Sequence, residues 1–189
     1  MSSVESSSSD EEIIKSLKIS SAISIIAGSW SLLFEIFYFH FFAIDIYIAR
    51  VLFTIISLTI FHLSFRNIGK QVLTILIHLL IISLISSFIY TIYKIPNTLF
   101  INSQILSLLV FTTALIFSWE VKNQIIVAIY YNLLFAGSII FNSSNIFLLP
   151  NIFSITIFVC LISLLSVVAS AVNYNRRKIY KAKTEEINF

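Results

Sequence analysis

Residues 20–65 read SSAISIIAGSWSLLFEIFYFHFFAIDIYIARVLFTIISLTIFHLSF, and their only charged residues are Glu35, Asp45 and Arg50. A helix rising 1.5 Å per residue needs roughly 20 apolar residues to cross about 30 Å of hydrocarbon. The stretch therefore holds two crossings, 20–43 and 46–65, which form a hairpin turning near Ala43–Asp45.

An ionisable side chain in lipid is costly and asks for a partner. Ser24, Gly28, Ser31 and Glu35 are spaced four, three and four apart, so at 100° per residue they share one face within about 60°. Small residues let helices approach closely; this face is a packing seam, and Glu35 points into the bundle. Arg50, Thr54, Ser57, Phe61 and Ser64 share a face of the second helix by the same arithmetic. Glu35 stands nine residues and Arg50 six from the turn, an axial offset of roughly 4–5 Å that an arginine side chain spans. The reading expects a Glu35–Arg50 ion pair in the outer half of the bundle, lowering the cost of holding either charge there. The alternative has Arg50 reaching the outer headgroups over a protonated Glu35. Asp45, where the second helix starts, is expected to cap it.

Four further apolar runs follow, at 71–93, 104–119, 124–142 and 152–173; the short fourth one can borrow from NTLFINS (97–103) before it. The whole chain of 189 residues is 58% apolar and 11% charged, against about 25% charged in soluble domains. Three glycines and two prolines leave little material for turns and phosphate-cradling loops, and favour long helices. The expected fold is all-α: a polytopic membrane protein of six transmembrane helices. One cysteine, Cys160, excludes a disulfide framework or a cysteine metal site within one chain. The start, MSSVESSSSDEE, lacks the basic region of a signal peptide, so the first apolar run is expected to stay as a span. Ser8/Glu11 and Ser9/Glu12 have capping-box spacing. They predict a short amphipathic helix lying on the bilayer with Ile13, Ile14 and Leu17 in the interface. Three regions result: a cytoplasmic tail 1–19, a six-helix domain 20–173 and an exit helix 174–189.

Six crossings leave both termini on one side, and lysine and arginine near helix ends are retained in the cytoplasm. Of twelve such residues, only Arg50 and Lys94 fall outside if the termini are inside. The expected location is the cell inner (plasma) membrane with both termini cytoplasmic.

Glu35, Tyr38, Arg50, Tyr90 and Tyr93 are the candidate lining of an outer-half pocket for a small amphipathic ligand, or equally a satisfied polar interior. Ser83, Ser87 and Tyr90, Tyr130, Tyr131 and Asn132, and Ser163, Ser166 and Ser170 read as polar glue between helices. Two imidazoles on neighbouring helices can ligate haem iron; His62 and His78 can reach a common depth, while His40 cannot join them, and ordinary interfacial or core histidines are the alternative. The sequence contains no H-E-x-x-H, G-x-S-x-G or Walker motif, and no internal repeat or broken helix of the kind secondary transporters use. Neither an enzyme nor a monomeric transporter is expected, and no nucleic-acid partner.

After Val172 the segment NYNRRKIYKAKTEEINF (173–189) has no proline or glycine; the sixth span is expected to continue into the cytoplasm as one rod, with Arg176, Arg177 and Lys178 at the inner headgroups. Tyr180 and Ile187, seven apart, allow a coiled-coil seam and hence a homodimer. Six spans, a short cytoplasmic N-terminus and a basic exit helix with NRRK (175–178) ending in KTEEINF (183–189) resemble the N-terminal membrane module of bacterial sensor histidine kinases and membrane-bound nucleotide cyclases. The resemblance implies an input module in the bilayer that passes a membrane or extracytoplasmic signal through its last helix to a cytoplasmic output domain or partner kinase. No phosphoacceptor box, nucleotide-binding box or cyclase metal site is found up to Phe189. The expectation is therefore a detached or truncated input, or one that pairs with a partner through the exit helix. A non-catalytic structural or accessory subunit of a membrane transport complex is the alternative.

Overall fold

The computed structural model describes residues 2–39, 44–66, 68–117, 119–142, 149 and 151–187. It is all-helical, with 92% of residues in helix and six helices long and apolar enough to span a membrane. These are α1 Ser2–Phe39, α2 Ile44–Leu63, α3 Lys70–Lys94, α4 Leu99–Ile116, α5 Val121–Ile140 and α6 Ile152–Ile187. The breaks fall where helix-terminating residues stand. Gly69, in extended conformation, precedes α3, and Pro96 opens a short 3-10 turn before α4. Asn151, at φ 68°, precedes α6 in the left-handed region that asparagine tolerates.

One expectation about helix bounds changes and another is met. The short surface helix within residues 1–19 is continuous with the first span, because no glycine or proline interrupts the chain between Ser2 and Ala27. Ile13 and Leu17 are consequently buried in the bundle, not laid on the bilayer, and Ser16 Oγ donates to the Ile116 carbonyl at the end of α4, 3.3 Å away. The fourth helix does take up residues before its apolar run, starting at Leu99 with Asn102 and Ser103 buried.

α3 lies at the centre, packed on α1, α2, α4 and α5, while α6 packs on α4 and α5. Large apolar side chains cover the outside, among them Ile23, Ile26, Trp30 and Phe37 of α1. With apolar residues on both sides, close approach and polar contacts, more than apolar burial, distinguish the helix interfaces. At the α1–α2 seam, a Cβ on Gly28 would lie 2.6 Å from Thr54 Oγ1 and 3.1 Å from the Phe53 ring. Buried serines satisfy themselves locally: Ser21, Ser57 and Ser163 each donate to the carbonyl four residues earlier.

Gln124, fully buried, ties three helices together. Its Nε2 donates to the Val110 carbonyl at 3.1 Å and to Ser166 Oγ at 3.2 Å. Tyr131 reaches from α5 to α4, its hydroxyl 3.0 Å from Ser107 Oγ. Gln124→Leu keeps volume and removes these bonds, and is expected to cost about 0.6–2 kcal/mol, read as a lower unfolding midpoint in detergent. At one end of the bundle Arg177 Nη1 lies 3.7 Å from Glu12 Oε2, so α1 begins and α6 ends on the same side.

Candidate functional site

Arg50 is buried on α2, 1% exposed, and its guanidinium is shared by two other helices. Nη2 lies 2.6 Å from Glu35 Oε1 on α1, and Nε donates to both Glu35 oxygens at 3.1 and 3.0 Å. From α3, Ser87 Oγ accepts from Nη1 at 2.9 Å and Thr91 Oγ1 accepts from Nη2 at 3.2 Å. The Phe88 ring lies under the guanidinium carbon, 3.9 Å from centroid to Cζ, a cation–π contact strengthened by the burial of Arg50. Thr91 also donates to the Ser87 carbonyl, and Tyr47 donates to the Glu35 carbonyl at 3.2 Å. The charge is thus matched one to one, and the acceptors of the α2 guanidinium are distributed over α1 and α3.

A cavity of about 430 Å³ opens beside this cluster between α1, α3 and α4. Glu35 and Thr91 give it a polar side together with Asn102, and Phe34, Phe88 and Phe100 an apolar one. Phe34 and Ile101 on its rim are more than half exposed, so the opening faces hydrocarbon. The arrangement suits an amphipathic molecule whose polar end meets Thr91, Asn102 and the ion pair while its apolar body lies on the phenylalanines. Both Glu35 oxygens accept from Arg50.

Of the five residues singled out in the sequence, the structure brings Glu35 and Arg50 into contact. Tyr38 lies outside the residues whose side chains are described. Tyr90 is half-buried on another face of α3, its ring 5.6 Å from Lys94 Nζ, and Tyr93 is exposed, its carbonyl accepting from Asn142 Nδ2. Neither lines the cavity. α3 contributes Ser87, Phe88 and Thr91 in their place. Ser87 and Thr91 are four apart, one helical turn, a signal visible in the sequence; Phe88 is one of 18 phenylalanines and carries none.

Asp45 stands in the first turn of α2, where its negative charge suits the helix dipole. Its carboxylate pairs with Lys94 at 3.0 Å on the exposed surface, closing the start of α2 on the end of α3. His62 is exposed in the last turn of α2. His78 is half-buried on α3, stacked on Trp119 at 5.0 Å with Nε2 3.4 Å from Asn123 Oδ1. The two imidazoles suggested for haem therefore have separate environments, and His40 lies outside the described residues. Trp119 is buried, whereas Trp30 is 72% exposed on the outward side of α1.

No family model, curated protein or solved structure matches the chain.

Proposed function

We propose that the chain is the sensory input module of a bacterial signal-transduction protein, embedded in the plasma membrane with both termini in the cytoplasm. The observation that carries this reading is the Arg50 cluster, which joins α1, α2 and α3 at the wall of a cavity open to lipid. An amphipathic ligand entering there competes for Thr91 and presses on Phe100 and Ile101 of α4. The far end of α4 is held by α6, because Asn173 Nδ2 donates to the Ala114 and Leu115 carbonyls at 3.3 and 3.1 Å. A shift of α4 is passed to α6, and α6 continues as a rod of 36 residues, ~54 Å. Transitions of this kind move one packed helix as a unit. An output domain or partner kinase, or a second copy docking along Tyr180 and Ile187, receives the motion. The cytoplasmic orientation is supported by the concentration of basic residues at the end of the bundle where the chain begins and finishes.

The second reading, a non-catalytic subunit of a membrane transport complex, is favoured by the completeness with which Glu35 and Arg50 satisfy each other. Fusing residues 1–189 to a cyclase output and supplying lipid extracts or quinones separates the two. The sensor reading expects a several-fold change in cyclic nucleotide that a Thr91→Val/Asn102→Leu double variant removes. A folded fusion with unchanged output in every extract would favour the structural role.

A further inference from the structure

A second cavity, of about 630 Å³, lies at the opposite end of the bundle, where α1 begins and α6 ends. It is independent of the Arg50 cluster. Its rim brings together four cations from three helices: Lys70 of α3, Lys122 of α5, and Arg177 and Lys178 of α6. Two acids accompany them. Glu120 accepts from Lys122 at 2.6 Å and Glu12 faces Arg177. The bond from Lys122 and its charge, with a smaller contribution from the charge of Lys70, hold the Glu120 carboxyl below the usual carboxylate range; at neutral pH it is an anion and balances one of these cations. Lys70 and Lys178 form no ion pair among the described residues, which leaves two cations in excess around one concavity.

The cavity floor adds a second kind of donor. Trp119 lines it and is 96% buried by the complement of its 4% exposure, yet its indole N–H finds no acceptor among the described residues. α3 and α5 both start here, and neither has a side-chain cap, so their first backbone N–H groups also point toward this end. Ile75, 63% exposed, and Ile13 supply an apolar wall that continues onto the lipid-facing surface.

We infer that this cavity binds an anionic phosphate group, with Lys70 and Lys178 as its charge partners and Trp119 beneath it. The group comes either from the headgroup of an anionic phospholipid, whose acyl chains lie against Ile75, or from a soluble phosphate. Uncompensated ammonium groups, free N–H donors and an apolar wall are what such a headgroup requires, and a zwitterionic headgroup carries its own cation and gains less from them.

The test uses the full chain in nanodiscs of phosphatidylcholine alone, of phosphatidylcholine with one-fifth phosphatidylglycerol, or of phosphatidylcholine with sodium phosphate against sodium chloride at equal ionic strength. The readouts are the unfolding midpoint and Trp119 fluorescence in a Trp30→Phe background. Phosphatidylglycerol is expected to raise the midpoint by ~3–5 °C and to shift the Trp119 emission. A Lys70→Gln/Lys178→Gln variant, whose side chains are exposed, should match wild type in phosphatidylcholine and lose more than half of the rise. Lys15→Gln/Lys183→Gln, removing equal charge away from the cavity, should retain it. A response to sodium phosphate alone with the same lysine dependence supports the site and assigns it to a soluble ligand. Equal losses in the two lysine pairs, or no response in either arm, would overturn the inference.

Discussion

Glu35→Leu is expected to destabilise the bundle by about 3–5 kcal/mol, the largest effect of any single substitution in this chain. It leaves the Arg50 guanidinium, 1% exposed, with Ser87 and Thr91 as its remaining polar partners and no counter-charge. Arginine has no neutral form to retreat to. Arg50→Met is expected to cost less, because the Glu35 carboxyl left behind can bind a proton and lose its charge. The double variant Glu35→Leu/Arg50→Met removes the charge from both sides, and apolar replacement of a buried pair is often neutral or stabilising. Its unfolding midpoint in detergent should return close to wild type. That order, Glu35→Leu worst, Arg50→Met intermediate and the double variant best, identifies a coupled pair; equal, additive losses would contradict it. The double variant also serves the functional question. A folded bundle lacking the ion pair that still transmits a signal would place the ligand elsewhere.

The second large effect is steric. Gly28→Leu has to displace both Thr54 and the buried Phe53 ring, since even a methyl group meets Thr54 Oγ1 at 2.6 Å. Overpacking of this kind typically costs about 1–3 kcal/mol, and it separates α1 from α2 one helical turn or two from Glu35, so the pair is stretched as well. Gly28→Ala should fall between wild type and Gly28→Leu. Adding Thr54→Ala to Gly28→Ala should recover part of the loss, because the nearest obstacle is the hydroxyl and its bond to the Arg50 carbonyl. Thermal midpoints of the four proteins in one detergent check the series; a Gly28→Leu protein as stable as wild type would mean the seam opens freely.

The architecture was legible because spans of about 20 apolar residues have few other uses, and because Gly69, Pro96 and the polar breaks stand at helix ends. The ion pair was legible for a related reason: two charges within one hairpin leave little choice of partner, and helical periodicity fixes the face of each. The α3 half of the site was harder. Tyr90 and Tyr93 attract attention as polar aromatics, yet the phase of α3 turns Ser87 and Thr91 toward Arg50, and that phase depends on where α3 docks, which no local pattern specifies. Gln124 shows the same limit. One amide beside the apolar run 124–142 reads as a span boundary; its burial follows from α4 and α6 closing over it. Residues 1–19 were misread for the opposite reason, since amphipathicity distinguishes a covered face from an exposed one but not whether protein or lipid covers it.

Arg50's partners are ordered along the chain. Glu35 precedes the arginine by 15 residues, whereas Ser87 and Thr91 follow it by 37 and 41. The first hairpin therefore contains both members of the buried pair, while α3 supplies the further acceptors of the guanidinium and, through Lys94, the partner of Asp45. The counter-charge is thus local to one hairpin, made before α3 exists, and the neutral acceptors that complete the shell arrive later in the chain.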